Sequence, residues 1–251
     1  MLKKILFLIT LTFFVSFAAY TSILFPLPAD IYQIVSTIAL VLFSLPSFYF
    51  LSKSIGLRKG VIAISLLFLF ALSFEYFAIK TGFPYGHFTY SDRIGFLLFD
   101  TVPLFVSFAW TPLIIGSLFL AKMFQRNLVM ILLLSTILLV LADFILDPGA
   151  VALTYWSYSG IFFLYSVPLS NFLGWILSGF MGSALLTLFT RDKQEAPSPW
   201  ILLSLYIMLV YWTTITITFQ LWISVLIGIP FIFFLLYLFL ENSTKAKKSA
   251  L

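Results

Sequence analysis

The chain has 251 residues, of which 62% are hydrophobic and 9% charged, with a formal net charge of +5. Soluble domains carry about 25% charged residues, so this composition excludes an ordinary soluble globular protein, and it is far too apolar for a disordered one. The absence of cysteine excludes disulfides, thiolate metal sites and cysteine nucleophiles, and a single histidine, His87, excludes a multi-histidine metal site.

The class that remains is all-α: a polytopic membrane bundle forming a single transmembrane domain over 1–251. A crossing helix needs about 20 apolar residues. Stretches free of charge and histidine run over 5–29, 31–52, 60–74, 101–121, 127–142, 148–190 and 196–240. The third and fifth are short, but each continues past one carboxylate, Glu75 or Asp143, into further apolar sequence. The last has room for two helices with a tight turn near 218–220. The first half of 148–190 is rich in Gly, Ser and Tyr; it reads as a loop or interfacial segment, leaving 167–189 as the span. The count is eight helices. Lys3 and Lys4 followed by an apolar run and SFAA resemble a signal peptide; the run is also long enough for an uncleaved first span, the reading adopted.

Basic residues test that count, because cytoplasmic loops carry an excess of Lys and Arg. With the N-terminus inside, twelve of the 14 fall in inner segments and only Lys80 and Arg93 fall outside. A seven-span chain, or an extra span within 150–165, spoils this asymmetry. The expected protein is multi-pass in the cell membrane, with both termini cytoplasmic and a basic tail over 241–251. Topology thus accounts for the net charge. Nothing calls for nucleic acid, and some attraction to acidic lipids is expected.

The carboxylates are more informative. Asp30, Glu75, Asp92, Asp100, Asp143 and Asp147 fall at or near the expected outer ends of helices. Glu75 and Asp143 lie within apolar helical sequence, where a charge costs about 2.5–3.5 kcal/mol on insertion scales and marks a functional candidate. Asp143 and Asp147 are four apart, one turn apart on one helix face. A neutral carboxylic acid beside an ionised one is the pattern that general acid–base chemistry uses. The plainer reading is that Asp147 ends its helix before Pro148 and that Asp143 bonds a neighbouring helix.

The outer loop over 80–100 holds turn-forming Gly82, Pro84, Gly86 and Gly95 among the rings of Phe83, Tyr85, Phe88 and Tyr90. His87 is either a proton carrier or a surface residue, and Asp92 and Arg93 are able to pair. A weak repeat also appears. VPLFVSFAW starts at 102 and VPLSNFLGW at 167, so Trp110 and Trp175 share the same offset. Each Pro is expected where a helix begins. Helices 3–4 and 5–6 then form two hairpins of like orientation, whose outer cleft collects Glu75, Asp143, Asp147 and Asn171. Asn171 suits holding a water or orienting a carboxylate, or else a plain interhelical bond.

This inventory lacks a phosphate-binding glycine loop, a Ser–His–Asp set and the aspartate-rich motifs that hold magnesium diphosphate. It leaves acid–base chemistry on a hydrophobic molecule, with no metal cluster. A buried acid protonating an alkene gives a tertiary carbocation, which aromatic faces stabilise by roughly 0.5–2 kcal/mol per ring. The same acids also suit an ion path in a transporter.

EYFAIKTGFPYGHFTYSD (75–92), VP…AW (102–110), DFILDPGAV (143–151) and YSVPLSNFLGW (165–175) resemble the integral-membrane carotenoid biosynthesis protein family. The likeness covers about 75–180, a family-like catalytic core. It departs at Thr101 and Ser166, where glycine is expected before each ValPro pair. The resemblance implies a carotenoid hydratase of the γ-carotene or bisanhydrobacterioruberin type. Such an enzyme adds water to the terminal double bond of an acyclic end group without a cofactor. It implies a carotenoid partner within the bilayer and, beside it, other membrane enzymes of the pathway. From the acid inventory, Glu75 or Asp143 would donate the proton, and its partner, with Asp147 and Asn171, would activate water. Tyr85, His87, Tyr90, Asp92, Trp110, Trp156, Tyr165 and Trp175 would bind substrate. The alternatives are a lycopene-type membrane cyclase, whose ProTrpGluGlu-like signature is absent, and a transporter or carotenoid-binding protein.

Overall fold

The computed structural model describes residues 2–25, 27–91, 93, 95, 97–190 and 198–248. Among these, eight helices are long and apolar enough to cross a membrane. They are α1 (Leu2–Leu24), α2 (Ala29–Ile55), α3 (Leu57–Thr81), α4 (Val106–Phe124), α5 (Leu128–Ala152), α6 (Leu169–Thr190), α7 (Leu203–Thr218) and α8 (Trp222–Lys248). The protein is a multi-pass membrane bundle, as its composition predicts. The tight turn also falls as expected: Gln220, with φ 57°, reverses the chain between α7 and α8.

α4 and α7 form the centre. Every residue from Trp110 to Ala121 and from Leu203 to Val210 is buried. Helices apolar all round are stable when surrounded, and α7 is flanked by α1, α5 and α8 while α2, α3 and α5 pack on α4. Outward, α1 and α2 expose Phe13, Phe17, Ile34 and Ile38, an apolar surface of the kind a bilayer covers.

In α3 the buried residues are Gly60, Ala63, Leu67, Ala71, Glu75 and Ala78, spaced three or four apart on one face. Mostly small, they let helices approach closely where lipid supplies no hydrophobic drive between them. Glu75 is the one ionisable group on that face.

α5 corrects the plainer reading of Asp147. The helix does not stop before Pro148 but continues to Ala152. Proline cannot donate to the carbonyl four residues back. The Ser224 hydroxyl of α8 donates to the Phe144 carbonyl in its place, at 2.6 Å. The Asp143–Asp147 turn therefore stays helical.

α3 and α5 finish, and α2, α4 and α6 begin, at one end of the bundle. There the chain forms two short ribbons that the sequence reading took as loop. β1 (Phe88–Tyr90) pairs antiparallel with β4 (Trp156–Tyr158), and β2 (Leu97–Leu98) with β3 (Val102–Pro103). Strands of two or three residues offer no period to detect. Pro103 belongs to β3 and α4 starts three residues later, so only Pro168 directly precedes its helix as expected. Ser166 has φ 65°, a left-handed backbone that glycine adopts freely; Thr101 is not left-handed.

Candidate functional site

Glu75 is brought inward by the small-residue face of α3. It is buried, and its Oε1 accepts the Tyr90 hydroxyl at 2.5 Å. On α5, Asp143 and Asp147 are both buried and share one face. Asn171, in the first turn of α6, bridges them: its Nδ2 donates to Asp143 Oδ2 at 3.1 Å and to Asp147 Oδ2. The Tyr158 hydroxyl lies 2.7 Å from Asp147 Oδ2 and 2.9 Å from Asn171 Oδ1. A phenol carries one proton, so Tyr158 donates to one of these acceptors at a time. Asp143 Oδ1 is buried with no hydrogen-bond partner among the described residues.

The β1–β4 ribbon explains how two loops 68 residues apart in sequence, counted between Thr89 and Ser157, serve one site. Its register sets Phe88 opposite Tyr158 and Tyr90 opposite Trp156. Alternation along each strand sends these four rings to the same face, where all four line a cavity. Thr89 and Ser157 occupy the other face, exposed, with their hydroxyls 3.3 Å apart. Burial, followed by the neighbouring carboxylates, pushes the Tyr90 and Tyr158 phenols well above 10. Both remain protonated donors at any physiological pH.

The cavity has a volume of about 100 Å³. Glu75, Asp147 and Asn171 line it, and Tyr85, Trp110 and Trp175 form an aromatic wall. The two tryptophans stand 4.7 Å apart, with the Tyr85 ring 6.4 Å from Trp110 and 6.2 Å from Trp175. The residues related by the sequence repeat thus meet in space. Gly174 permits this: a Cβ there would strike the Tyr85 ring and come within 3.1 Å of the Pro84 carbonyl carbon.

The expected acids and Asn171 do converge, along with Tyr85, Tyr90, Trp110, Trp156 and Trp175. Asp143 stands behind Asp147 and does not line the cavity. His87 and Tyr165 are not lining residues either. His87 is exposed, with its ring over Gly82, and the Tyr165 hydroxyl accepts the Ile223 amide at the start of α8. Asp92 lies outside the described residues. Sequence reasoning missed Tyr158, although it sits in the Tyr-rich segment taken as interfacial. It also missed Leu40 on α2 and Trp212 on α7, which fall outside the 75–180 core and carry no local signal. Among the described residues, no three His, Asp or Glu side chains converge to hold a metal ion.

Residues 29–235 match the carotenoid biosynthesis protein family. The chain belongs to that family. Bisanhydrobacterioruberin hydratase of Haloarcula japonica is similar to this carotenoid biosynthesis family member, at 37% identity over 126 residues. That match covers 49% of this chain and 43% of the relative, so the chain spans less than half of the hydratase's length. No solved structure matches the chain.

Proposed function

We propose that this protein is a carotenoid hydratase that adds water across the terminal double bond of an acyclic end group. The observation that carries the reading is the pairing of two carboxylates, Glu75 and Asp147, with an aromatic wall around one small cavity. The likeness to a hydratase in Haloarcula japonica supports it.

In this mechanism the neutral acid of the pair transfers its proton to the terminal alkene, and the π electrons form the new C–H bond. Positive charge develops on the tertiary carbon, facing Trp110 and Trp175. Each ring stabilises such a cation by roughly 0.5–2 kcal/mol. Water then forms the C–O bond and loses its proton to the other carboxylate. Tyr90 and Tyr158 fix the carboxylates so that each presents an oxygen to the cavity. Asp143 acts through Asn171 on Asp147 rather than on substrate. This shifts the donor role from Glu75 or Asp143 to Glu75 or Asp147. Trp156 and Tyr85 pack around the end group, and no cofactor takes part.

The cavity size fits an end group. An engineered apolar cavity of about 150 Å³ holds one benzene, so about 100 Å³ suits a terminal isoprene unit. The distribution of basic residues supports a cell-membrane orientation with both termini cytoplasmic and the site on the outer side.

The test is expression in a bacterium that accumulates an acyclic or monocyclic carotenoid, with mass-resolved pigment analysis. The expected product is heavier by one water and is lost in Glu75→Gln and Asp147→Asn. An isomer of unchanged mass would mean cyclisation. No new pigment on any such substrate would overturn the enzyme reading.

A further inference from the structure

A carotenoid is many times larger than the end group that this cavity accommodates. The rest of the molecule must leave the cavity through one of its walls. The lining residues from α3, α5, α6 and α7, namely Glu75, Leu146, Asp147, Asn171, Trp175, Met208 and Trp212, are all buried. The walls that retain exposure are of two kinds. One is the loop side, where exposed Arg93 lines the cavity and donates to the Leu153 carbonyl at 3.3 Å. That side sets the Arg93 guanidinium beside the half-buried rings of Tyr90, Tyr155, Trp156 and Tyr158, and its charged and hydroxyl groups suit water. The other is the seam between α2 and the start of α4, where Ser36, Leu40, Phe105 and Ala109 line the cavity while half-buried. Ser36 and Leu40 are one turn apart on α2, and the Ser36 hydroxyl is satisfied by the Gln33 carbonyl at 3.2 Å. The seam therefore offers a polyene an apolar surface.

The construction of α2 suits a wall that opens. Its inner half is pinned: Ser47 donates its amide to Ser204 Oγ at 2.9 Å and its hydroxyl to the Ile201 carbonyl at 3.2 Å. Pro46, next to that anchor, removes one hydrogen bond from the helix ladder. The half that forms the cavity wall carries, among its contacts, the hydrogen bond between the Tyr32 and Tyr155 hydroxyls and the Arg93 guanidinium 6.0 Å from the Tyr32 ring. On its far side it presents Ile34, Val35, Ile38 and Leu42 to lipid. A proline next to an anchor lets the two halves of a helix bend relative to each other, because the missing ladder hydrogen bond lowers the cost of a kink there.

We propose that the seam between the first half of α2 and the start of α4 is the lateral entrance from the bilayer, and that it is the binding site for the polyene body while the end group reacts. The inference rests on the carotenoid reading of the cavity. Its ligand is an apolar, rod-like polyene; its walls are Ser36 and Leu40 on one side and Phe105 and Ala109 on the other. Water reaches the carboxylates separately, past Arg93. The two reactants enter by walls of opposite polarity.

The chain has no cysteine, so a disulfide lock needs no background substitutions. A Cβ built on Gly95 stands 3.3 Å from Thr37 Oγ1, close to the spacing between one sulfur and the opposite Cβ in a disulfide. The double variant Thr37→Cys with Gly95→Cys ties α2 to the segment beside α4 when oxidised and frees it when reduced. The reduced variant is the reference, which absorbs the cost of replacing Gly95 at φ +59° and of moving the Phe105 ring, 2.7 Å from the new Cβ. Oxidation is expected to slow polyene uptake and hydration at least tenfold. Pigment loaded before oxidation is expected to stay bound through a detergent wash, and reduction to release it. If mass analysis shows the disulfide formed and uptake is unchanged, the entrance is elsewhere and the inference is overturned. Should the disulfide not form, Ala109→Phe fills the seam and is expected to cut uptake tenfold in a protein of unchanged thermal unfolding; unchanged uptake overturns the inference equally. Uptake is read by pigment absorption, independently of chemistry. Locked uptake without any hydrated product in the native chain would keep the entrance and reject the hydratase reading.

Discussion

Asn171→Leu tests the core of the site, because one amide joins both aspartates to Tyr158. Leucine keeps the branching of asparagine, but its methyls are larger than the amide groups they replace and stand farther from the carboxylate oxygens, so some repacking adds to the loss. The substitution removes the donations to Asp143 Oδ2 and Asp147 Oδ2 and the acceptor near the Tyr158 hydroxyl. Asp143 Oδ1 has no partner among the described residues, so Asp143 loses the hydrogen bond from Asn171 while fully buried. Leaving a buried polar group unsatisfied costs about 1–3 kcal/mol, and more for a charged one. Leucine recovers part of this through apolar burial. A net loss of about 3 kcal/mol follows, roughly two powers of ten in the folding constant. Asp147 also loses its fixed orientation, and misplacing a reacting group by about 1 Å costs roughly 10²-fold in rate. Equilibrium unfolding in detergent and pigment turnover measure the two effects. A cycle with Tyr158→Phe should show coupling of about 0.5–3 kcal/mol. Native stability together with native turnover in Asn171→Leu would refute the bridge as a working part.

Tyr90→Phe removes the 2.5 Å bond to Glu75; a loss of about 1.5–3 kcal/mol should appear in unfolding, with turnover falling at least tenfold. Trp175→Leu deletes one face of the aromatic wall, so turnover should drop by a factor set by about 0.5–2 kcal/mol, while pigment binding followed by absorption changes less. His87→Gln, at a side chain that does not line the cavity, should leave turnover within about twofold of native; a larger loss would return His87 to the chemistry. Burial raises the Tyr90 and Tyr158 phenols above their ordinary value near 10. A raised folded value means that the folded state holds these protons more tightly than the unfolded chain. Their contribution is thus fully present below about pH 10 and is lost as pH climbs beyond it. Unfolding measured up to pH 9 should show no tyrosine-linked loss of stability, and Tyr158→Phe should reduce the loss seen above pH 10.

The acids were legible because each breaks a strong pattern. Glu75 interrupts the apolar run LFLFALSF, and Asp143 interrupts a run of aliphatic residues. Asn171 was legible through the repeat that also places Trp175 against Trp110. Tyr158 was not, since its importance comes from a strand register of three residue pairs, too short to leave a period in sequence. His87 and Tyr165 looked equally chemical by residue type; their contacts with Gly82 and Ile223 are set by loop paths that composition does not encode.

The sequence by itself determined the membrane class, the eight helices, the turn near Gln220 and the wealth of carboxylates at one end of the bundle. These follow from hydropathy and from the cost of burying charge, both local properties of the chain. Only the tertiary structure decided which carboxylates face the cavity, that Ser224 carries α5 through Pro148, and that Tyr90 and Tyr158 reach the acids from one ribbon. Those outcomes depend on contacts between distant segments, where a hydrogen bond is made or lost according to geometry that no stretch of sequence specifies alone.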